Sequence, residues 1–411
     1  MEEYTVLGND SLRIDGIYHR YYPNGNPEMI GHFSNGIKDG EFNEFYENGN
    51  QRAKLTFANG LKHGEVTIYS QDGSIAQSGF YINDTLTQKL IAYFEDGQVK
   101  SETFFKNGKP DGIVKGYYPS GKIKEEIAYK EGDPNGLSIK YYENGNKESE
   151  AMYTYGLMNG FFRTYYDNEQ IHTEYNNVNG RREGDFHTYY RSGNVKAEGI
   201  YNEGKQNGVS QSYFENGNLE IVNHYKDGIR IGQSTFYFSD KTVRKTIRFG
   251  NDEKNQQVIE YHPSGKVRSR YSIKEDIPDG KWSFYRQNGR DSLEEVYVNG
   301  RLHGIRKTFD EKGRIYKEEP FVNGRIIGKL ITYYPNGKIQ SDTEYKSGRK
   351  HGTYLSYYSN GQKEWEGIYG GNRKGGEWTH YDKKGEKNLV EKYLKGEIVE
   401  TIIPDKKQKT D

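Results

Sequence analysis

The sequence predicts an all-β protein, an elongated single-layer antiparallel array of β-hairpins wound into a twisted, coiled ribbon. A 24-residue period runs through the 411-residue chain without insertion or deletion from residue 16 to about residue 400. The chain contains 50 Gly and 38 Tyr but only 32% hydrophobic residues, too few to fill several three-dimensional cores. Turn residues alternate with short aromatic and β-branched runs, a pattern typical of strands joined by tight turns.

The period is counted from Gly16, and the first residue of each 24-residue unit is called its boundary residue. Fourteen of the sixteen boundary residues are glycine, the exceptions being Gln88 and Gln256. Position 5 after the boundary is aromatic in all sixteen units, and position 17 is aromatic in fourteen. We therefore expect an N-terminal cap at 1–15, sixteen tandem units over 16–400, and a polar C-terminal tail at 401–411.

Two kinds of turn separate the predicted strands. Pro23-Asn24-Gly25 is typical of a first turn in which Pro fixes φ and Gly closes a bulge at positive φ. The second turn has the form Asn59-Gly60-Leu61-Lys62-His63-Gly64. Its first glycine is replaced only by Asp or Asn, which tolerate a left-handed backbone, so this position is selected for backbone conformation. Those replacements are Asp84, Asp252, Asp276 and Asn372.

Charge and composition exclude several functional classes. Lys plus Arg and Asp plus Glu both total 59, so neither nucleic-acid binding nor attachment to anionic lipid is expected. The chain has no cysteine, which excludes disulfides and thiolate metal sites. No apolar run reaches about 18 residues, so no integral membrane contact is expected. The first residues lack a secretion signal, and a native N-terminus would make the protein cytoplasmic.

The units resemble MORN repeats, specifically the bacterial variant in proteins labelled as YwqK-family antitoxins of toxin–antitoxin systems. The resemblance rests on the Tyr21-Tyr22-Pro23-Asn24-Gly25 type of segment and on the Asn59–Gly64 type of turn, and it covers essentially the whole chain. It implies an elongated single-layer antiparallel sheet. It also implies roles in protein scaffolding, dimerisation or lipid binding, and for the antitoxins neutralisation of a toxin protein.

We predict no catalytic, cofactor-binding or metal-binding residues, and no cofactor. His63, His303 and His351 share one turn position but lie at least two units apart, so a turn role is favoured over a metal site. Acidic residues recur fourteen positions after the boundary, with basic residues two positions earlier in several units. We interpret them as a solvated face of mixed charge rather than a cation ladder or acid–base pairs.

A second aromatic row, at position 6, is the candidate protein-binding feature. Adjacent strand residues point to opposite faces, and this row is lost in five units, which favours exposure. Exposed tyrosines suit protein contacts, whereas packing against neighbouring strands is the alternative interpretation. The row consists of Tyr22, Tyr46, Phe94, Tyr118, Tyr142, Tyr166, Tyr190, Phe214, Phe238, Tyr334 and Tyr358.

The pattern degenerates between Ser239 and Asp276, where the turn glycine, the boundary glycine and both second-turn glycines are replaced while the count of 24 holds. We expect this stretch to be either a bend or a specialised contact.

The predicted function is a non-catalytic protein-binding or scaffold protein, an antitoxin that covers a toxin being one instance. A homodimer is a further assembly compatible with the sequence. The alternatives are a carbohydrate- or cell-wall-binding repeat protein and a lipid-associated MORN protein. An enzyme is not expected, because no nucleophile–base set or phosphate loop interrupts the repeat.

Overall fold

Short strands joined by tight turns make up the chain in a computed structural model that describes residues 1–6 and 13–404. The chain divides into two compact halves, Met1–Lys205 and Gln206–Asp411. Within each half, successive strands pair antiparallel with the next strand along the chain. No helix occurs in the described ranges, so the all-β hairpin array is confirmed.

The strands repeat with the 24-residue period, and two-residue strands precede the boundary residue in several units. In the first half they are β1 (Glu2–Val6), β2 (Ile14–Tyr21), β3 (Pro27–Ser34), β4 (Ile37–Lys38), β5 (Gly40–Phe45), β6 (Gln51–Ala58), β7 (Leu61–Lys62), β8 (Gly64–Tyr69), β9 (Ile75–Ile82), β10 (Thr85–Tyr93), β11 (Val99–Lys106), β12 (Lys109–Pro110), β13 (Gly112–Tyr117), β14 (Ile123–Lys130), β15 (Asp133–Tyr141), β16 (Lys147–Thr154), β17 (Leu157–Tyr165), β18 (Ile171–Val178), β19 (Arg181–Tyr189) and β20 (Val195–Asn202). After β21 (Lys205–Gln206) come β22 (Gly208–Tyr213), β23 (Leu219–Lys226), β24 (Ile229–Arg230), β25 (Gln233–Tyr237), β26 (Val243–Phe249), β27 (Gln256–Tyr261), β28 (Val267–Lys274), β29 (Ile277–Tyr285), β30 (Asp291–Val298), β31 (Arg301–Leu302), β32 (Gly304–Phe309), β33 (Ile315–Val322), β34 (Arg325–Ile326), β35 (Gly328–Tyr333), β36 (Ile339–Lys346), β37 (Arg349–Tyr357), β38 (Lys363–Gly370), β39 (Arg373–Tyr381), β40 (Lys387–Leu394) and β41 (Glu397–Ile402).

The predicted end segments are described only in part. β1 lies in the predicted cap and pairs with β2, with Glu2 opposite Arg20. β41 extends into the predicted tail. Residues 7–12 of the cap and 405–411 of the tail lie outside the described residues.

The first turn has the predicted geometry. The Gly25 N–H donates to the Tyr22 carbonyl oxygen (3.0 Å), and the Tyr22 N–H donates to the Asn26 carbonyl oxygen (2.8 Å). Gly25 has φ 88°, which closes the bulge after the turn. Glu169 and Lys241, which replace this glycine, adopt φ 70° and 74°, so the backbone conformation survives without glycine.

The second turn ties each unit to the one before it. Asn59 and Gly60 have φ 50° and 82°, both left-handed, as a two-residue hairpin turn requires. The Gly60 N–H donates to the Lys38 carbonyl oxygen of the preceding unit (2.9 Å). The prediction that this position is selected for its backbone is confirmed at Asp84, Asp276 and Asn372, with φ of 62°, 63° and 75°, and is wrong at Asp252, which has no positive φ.

The boundary residue is a bulge with a close cross-strand contact. Gly160 has φ 115°, and a Cβ there would lie 3.0 Å from the Cβ of Met152. Both observations favour glycine, because the backbone is strained for L-residues and the space is already filled.

Large side chains pack on one face of each half, here called the aromatic face. Phe42 is fully buried (0% exposed) and packs with Leu55 and Phe57, while Trp378 is 2% exposed. Glycines make room for these rings: a Cβ on Gly31 would lie 2.2 Å from the Phe42 ring. The hydrophobic core therefore lies on the aromatic face, where large side chains of neighbouring strands pack against one another along the sheet.

Candidate interaction surface

The opposite face carries the first aromatic row and the acidic row and is here called the charged face. In several units the hydroxyl of the first-row tyrosine donates to a carboxylate fifteen residues earlier, in the preceding unit: Tyr141 to Glu126 (3.1 Å) and Tyr189 to Glu174 (2.7 Å) in the first half. Burial and the hydrogen bond to Glu174 raise the pKa of Tyr189 to about 12. The same bond lowers the pKa of Glu174.

Cations complete these clusters. Lys115 lies 3.0 Å from Glu126, and Arg163 lies 3.1 Å from Glu174, each directly across the strand pair. This face carries both charges, but the prediction was wrong about its cations: the basic residues two positions before the acids, such as Lys124, lie over second-row rings on the aromatic face. The carboxylates are half-buried acceptors of tyrosine hydroxyls rather than freely solvated groups. The fifteen-residue spacing between acid and tyrosine was the signal in the sequence that could have revealed the bond.

The second aromatic row lies on the aromatic face. All eleven predicted residues, Tyr22, Tyr46, Phe94, Tyr118, Tyr142, Tyr166, Tyr190, Phe214, Phe238, Tyr334 and Tyr358, are half-buried. The expectation that loss of this row in some units indicates exposure is therefore wrong. The hydrogen bonds of the row account for some of its replacements.

Tyrosines of the second row bind the backbone of the next unit. The Tyr142 hydroxyl donates to the Tyr165 carbonyl oxygen (2.8 Å), and the bond recurs at Tyr22, Tyr118 and Tyr334. Where the tyrosine is replaced, His262 and Arg286 reach the equivalent carbonyl oxygens, at 3.0 and 2.9 Å. Tyrosine, histidine and arginine can each supply this donor, so the contact survives those replacements, whereas Phe94, Phe214 and Phe238 occupy the position without a hydroxyl. A protein-binding role for the exposed part of the rings stays a prediction.

The asparagines of the first turn form a further link that the sequence interpretation missed. Asn24 accepts the Asn26 N–H at 3.0 Å, as a turn residue should, and its Nδ2 also donates to the Glu47 carbonyl oxygen of the next unit (2.9 Å). Asn336 bonds Ser359 in the same way at 2.8 Å. The local turn explanation was sufficient for asparagine at this position, so nothing in the sequence called for a second role.

The shared histidine position has no metal geometry around it. His63 Nδ1 lies 3.3 Å from Asn83 Oδ1, so this histidine links the second turns of two successive units. Among residues 1–6 and 13–404, no group of three or more His, Asp or Glu side chains is placed to hold a metal ion. Over the same ranges, no helix has the length and apolar character needed to cross a membrane.

An apolar stripe, residues Phe104, Ile113, Ala128, Leu137 and Met152, crosses strands β11 to β16 on the charged face. Ile113 lies opposite Ala128 and Leu137 opposite Met152 in the strand register. The stripe continues from unit to unit, since these side chains cover the boundary glycines: the Phe104 Cβ lies 3.4 Å from a Cβ position on Gly112. Phe104, Ile113 and Leu137 are 44%, 49% and 40% exposed.

The family model described as MORN repeat variant matches ten segments that together span more than half of the chain. They are residues 14–35, 38–59, 62–83, 89–107, 110–131, 134–155, 206–227, 302–323, 327–347 and 350–369. No curated protein matches.

Among solved structures, the chain is similar at 12% identity to a chain of the crystal structure of TcdB2-TccC3-Cdc42, with a TM-score of 0.14 over 94% of this chain and 22% of that one. It is similar at 13% identity to a chain of the Photorhabdus luminescens Tc holotoxin pore, with a TM-score of 0.15 over 93% of this chain and 23% of that one. The chain thus spans less than a quarter of either. Scores this low do not indicate a shared overall fold.

Proposed function

Because the chain belongs to the MORN repeat variant family, we propose that it is a non-catalytic repeat protein whose ligand is another protein. The observation that carries the proposal is the apolar stripe from Phe104 to Met152. Phe104, Ile113 and Leu137 are exposed on a face where the nearby Lys115 is paired with Glu126. Contiguous exposed apolar side chains rimmed by polar groups mark protein interaction sites more often than isolated ones do.

The state of the carboxylates supports a non-catalytic role. Glu174 accepts a tyrosine hydroxyl and pairs with Arg163, and these contacts lower its pKa. A general acid or base working near neutral pH needs a shift in the other direction. These carboxylates therefore serve as fixed acceptors that hold neighbouring units in register.

A finer proposal is that the partner is a toxin protein that the chain covers and neutralises. Its support is the resemblance of the Tyr-Tyr-x-Asn-Gly segment and the Asn-Gly-x-x-His-Gly turn to those of the YwqK-family antitoxins. An extended sheet face suits such a role, since it can cover a partner's active site without any chemistry of its own.

Crosslinking and purification from native cells, together with the purified product of the adjacent gene, test both proposals. We expect a protein partner to be captured and to be lost from the Ile113→Ser, Leu137→Ser double variant. Both side chains are well exposed, so the fold tolerates the change. Ile305→Ser is the matched control, because Ile305 occupies the repeat position of Ile113 and is also 49% exposed, but it lies in the second half.

If the double variant still retains the partner, the apolar stripe is not the contact surface. Capture of no protein at all, with binding on a glycan array instead, would overturn the protein-binding proposal in favour of the carbohydrate alternative. A partner that is bound but not inhibited would overturn only the antitoxin proposal.

A further inference from the structure

A concavity at the ends of β26, β27 and β28 combines cations with neutral donors. It measures about 440 Å³, within the roughly 300–1,000 Å³ of small-molecule sites. Arg248, Gln257, Ser272 and Lys274 contribute to its lining, with Asn255 from the turn between β26 and β27. No lining residue within the described ranges is acidic.

Within the described residues neither cation of this concavity is paired with an acid, and Arg248 also lacks the acidic neighbour that its counterpart in another unit has. Arg248 lies opposite Gln233 on one side and Gln257 on the other, both uncharged amides. Lys392, at the same repeat position, lies opposite Glu377 and is 3.9 Å from its carboxylate. Across residues 13–404, no carboxylate lies within 4.0 Å of Arg248 or Lys274.

The acidic row of the charged face is also interrupted here. Position 14 of the repeat, which is Glu102, Glu126 or Glu174 in regular units, is Thr246 on β26 and Arg270 on β28. The nearest acid of the row, Glu294, is taken by Lys281 at 2.6 Å. Asp279 lies opposite Ser272 in the register but does not line the concavity.

The two acids of the turn between β26 and β27 are held by other groups. Asp252 accepts the N–H groups of Lys254 and Asn255, each at 3.0 Å. Glu253 forms an ion pair with Arg230 at 2.8 Å. Neither carboxylate lines the concavity or forms an ion pair with Arg248 or Lys274.

We propose that this concavity binds a multiply charged oxyanion, a phosphate ion or phosphate monoester, between Arg248 and Lys274. Arginine and lysine on two strands supply charge-assisted donors, and Gln257 and Ser272 add neutral ones, which together match the several acceptor oxygens of a phosphate. The site is independent of the proposed protein partner, since it shares no residue with the apolar stripe.

Calorimetric titration of the full chain with inorganic phosphate at constant ionic strength tests the site. We expect saturable binding that falls about tenfold or more in the Arg248→Gln, Lys274→Gln variant, because two charge-assisted hydrogen bonds are lost. Arg244→Gln is the matched control: it removes the same charge from β26, but Arg244 lies over Phe236 on the aromatic face, 5.9 Å from the ring centroid, and binding should be retained. A second titration with a phosphoserine peptide separates a free ion from a phosphate carried on a protein.

Gln257→Glu is a second variant, and it should leave the fold intact because the exposed side chain keeps its shape. It supplies Arg248 with the acid that Lys392 already has, and it should abolish phosphate binding. Absence of saturable binding to both probes would overturn the proposal. So would unchanged affinity in Gln257→Glu, or an equal loss in the Arg244→Gln control.

Discussion

Strands β15 to β18 in the first half and β26 to β28 in the second half contain the same repeat in a regular and a degenerate form. The regular stretch has the boundary bulge at Gly160 and tyrosine–carboxylate bonds such as Tyr189 to Glu174. In the degenerate stretch the pairing of β26 with β27 runs from Lys245↔Glu260 to Phe249↔Gln256 without a bulge. Gln256, unlike Gly160, has no positive φ, because the turn at 250–255 has replaced the two-residue hairpin turn.

What the two stretches share is strand pairing and a packed aromatic face. Ile247, Phe249 and Val258 form a buried cluster in the degenerate stretch, at 7%, 6% and 2% exposure. The comparison teaches that pairing and packing carry the fold, whereas the ladder of tyrosines and acids is an addition that a unit can lose. The expected bend at 239–276 stays a prediction, as does a specialised contact there.

The largest effect should come from the packing that both stretches need. Phe249→Ala should destabilise β26 and β27 by about 3–5 kcal/mol, since it empties a buried aromatic position. Hydrogen exchange of backbone amides in these strands measures the loss. Gln257→Ala, an exposed position on the next strand, should change exchange little. Equal effects of the two variants would mean that the cluster does not hold the stretch together.

The boundary position should matter only where the bulge exists. Gly160→Ala should cost about 1–3 kcal/mol, because alanine is strained at φ 115° and its Cβ would crowd Met152. Gln256→Ala, at the same repeat position, loses only the hydrogen bond from its Nε2 to the Glu253 carbonyl oxygen, about 0.5–1.5 kcal/mol. Urea denaturation followed by hydrogen exchange compares the two. A larger loss at residue 256 would contradict the structural distinction.

The tyrosine–carboxylate ladder should add a pH-dependent contribution to the regular stretch. Glu174→Gln should lower the free energy of unfolding by about 1–2 kcal/mol at pH 7, since it removes the charged acceptor of Tyr189 and the partner of Arg163. The folded-state pKa of Glu174 lies below its usual value of 4.5, so this stabilisation is complete above that value and is lost as pH falls through the folded pKa.

The difference between wild type and Glu174→Gln should therefore narrow as the pH falls below 4.5. Thr246→Gln, at the same repeat position in the degenerate stretch, is the control and should have little effect at any pH. A constant difference from pH 7 to pH 3 would show that the ladder acts by packing and not by charge.

The smallest effect is expected from the hydroxyls of the second aromatic row. Tyr142→Phe should cost about 0.5–1.5 kcal/mol by removing the bond to the Tyr165 carbonyl oxygen. Phe238, at the same repeat position, already lacks a hydroxyl, and Phe238→Leu removes only ring contacts. Thermal denaturation with hydrogen exchange on β17 detects the change at Tyr142. No change in protection of β17 would mean that water replaces the hydroxyl without loss.

The sequence was sufficient to predict the turn conformations that depend on a residue's own backbone preferences. The positive φ of Gly25, the left-handed pair Asn59-Gly60 and the substitution of Asp84 and Asn372 for glycine are local properties, and composition reveals them. The period itself fixes the strand order, because each unit pairs with its sequence neighbours.

Contacts between units could not be predicted from the sequence, because they depend on how neighbouring strands are aligned. Whether Tyr142 is exposed or bonded depends on the stagger of strands in adjacent units, which a single repeat does not encode. Asn24 already had a complete local explanation. The location of the degenerate stretch was visible as a run of missing glycines, but its rebuilt turn and unpaired cations at Arg248 and Lys274 follow from register, which only the structure supplies.

The bond from the Tyr22 hydroxyl to the Phe45 carbonyl oxygen has a consequence for how such a chain grows. The donor is a side chain, but the acceptor belongs to the backbone and is present whatever residue follows. A duplicated or transplanted unit therefore brings its own donor and finds a ready acceptor in any neighbour. The number of units can therefore change by duplication or loss of whole units without a compensating mutation at the junction.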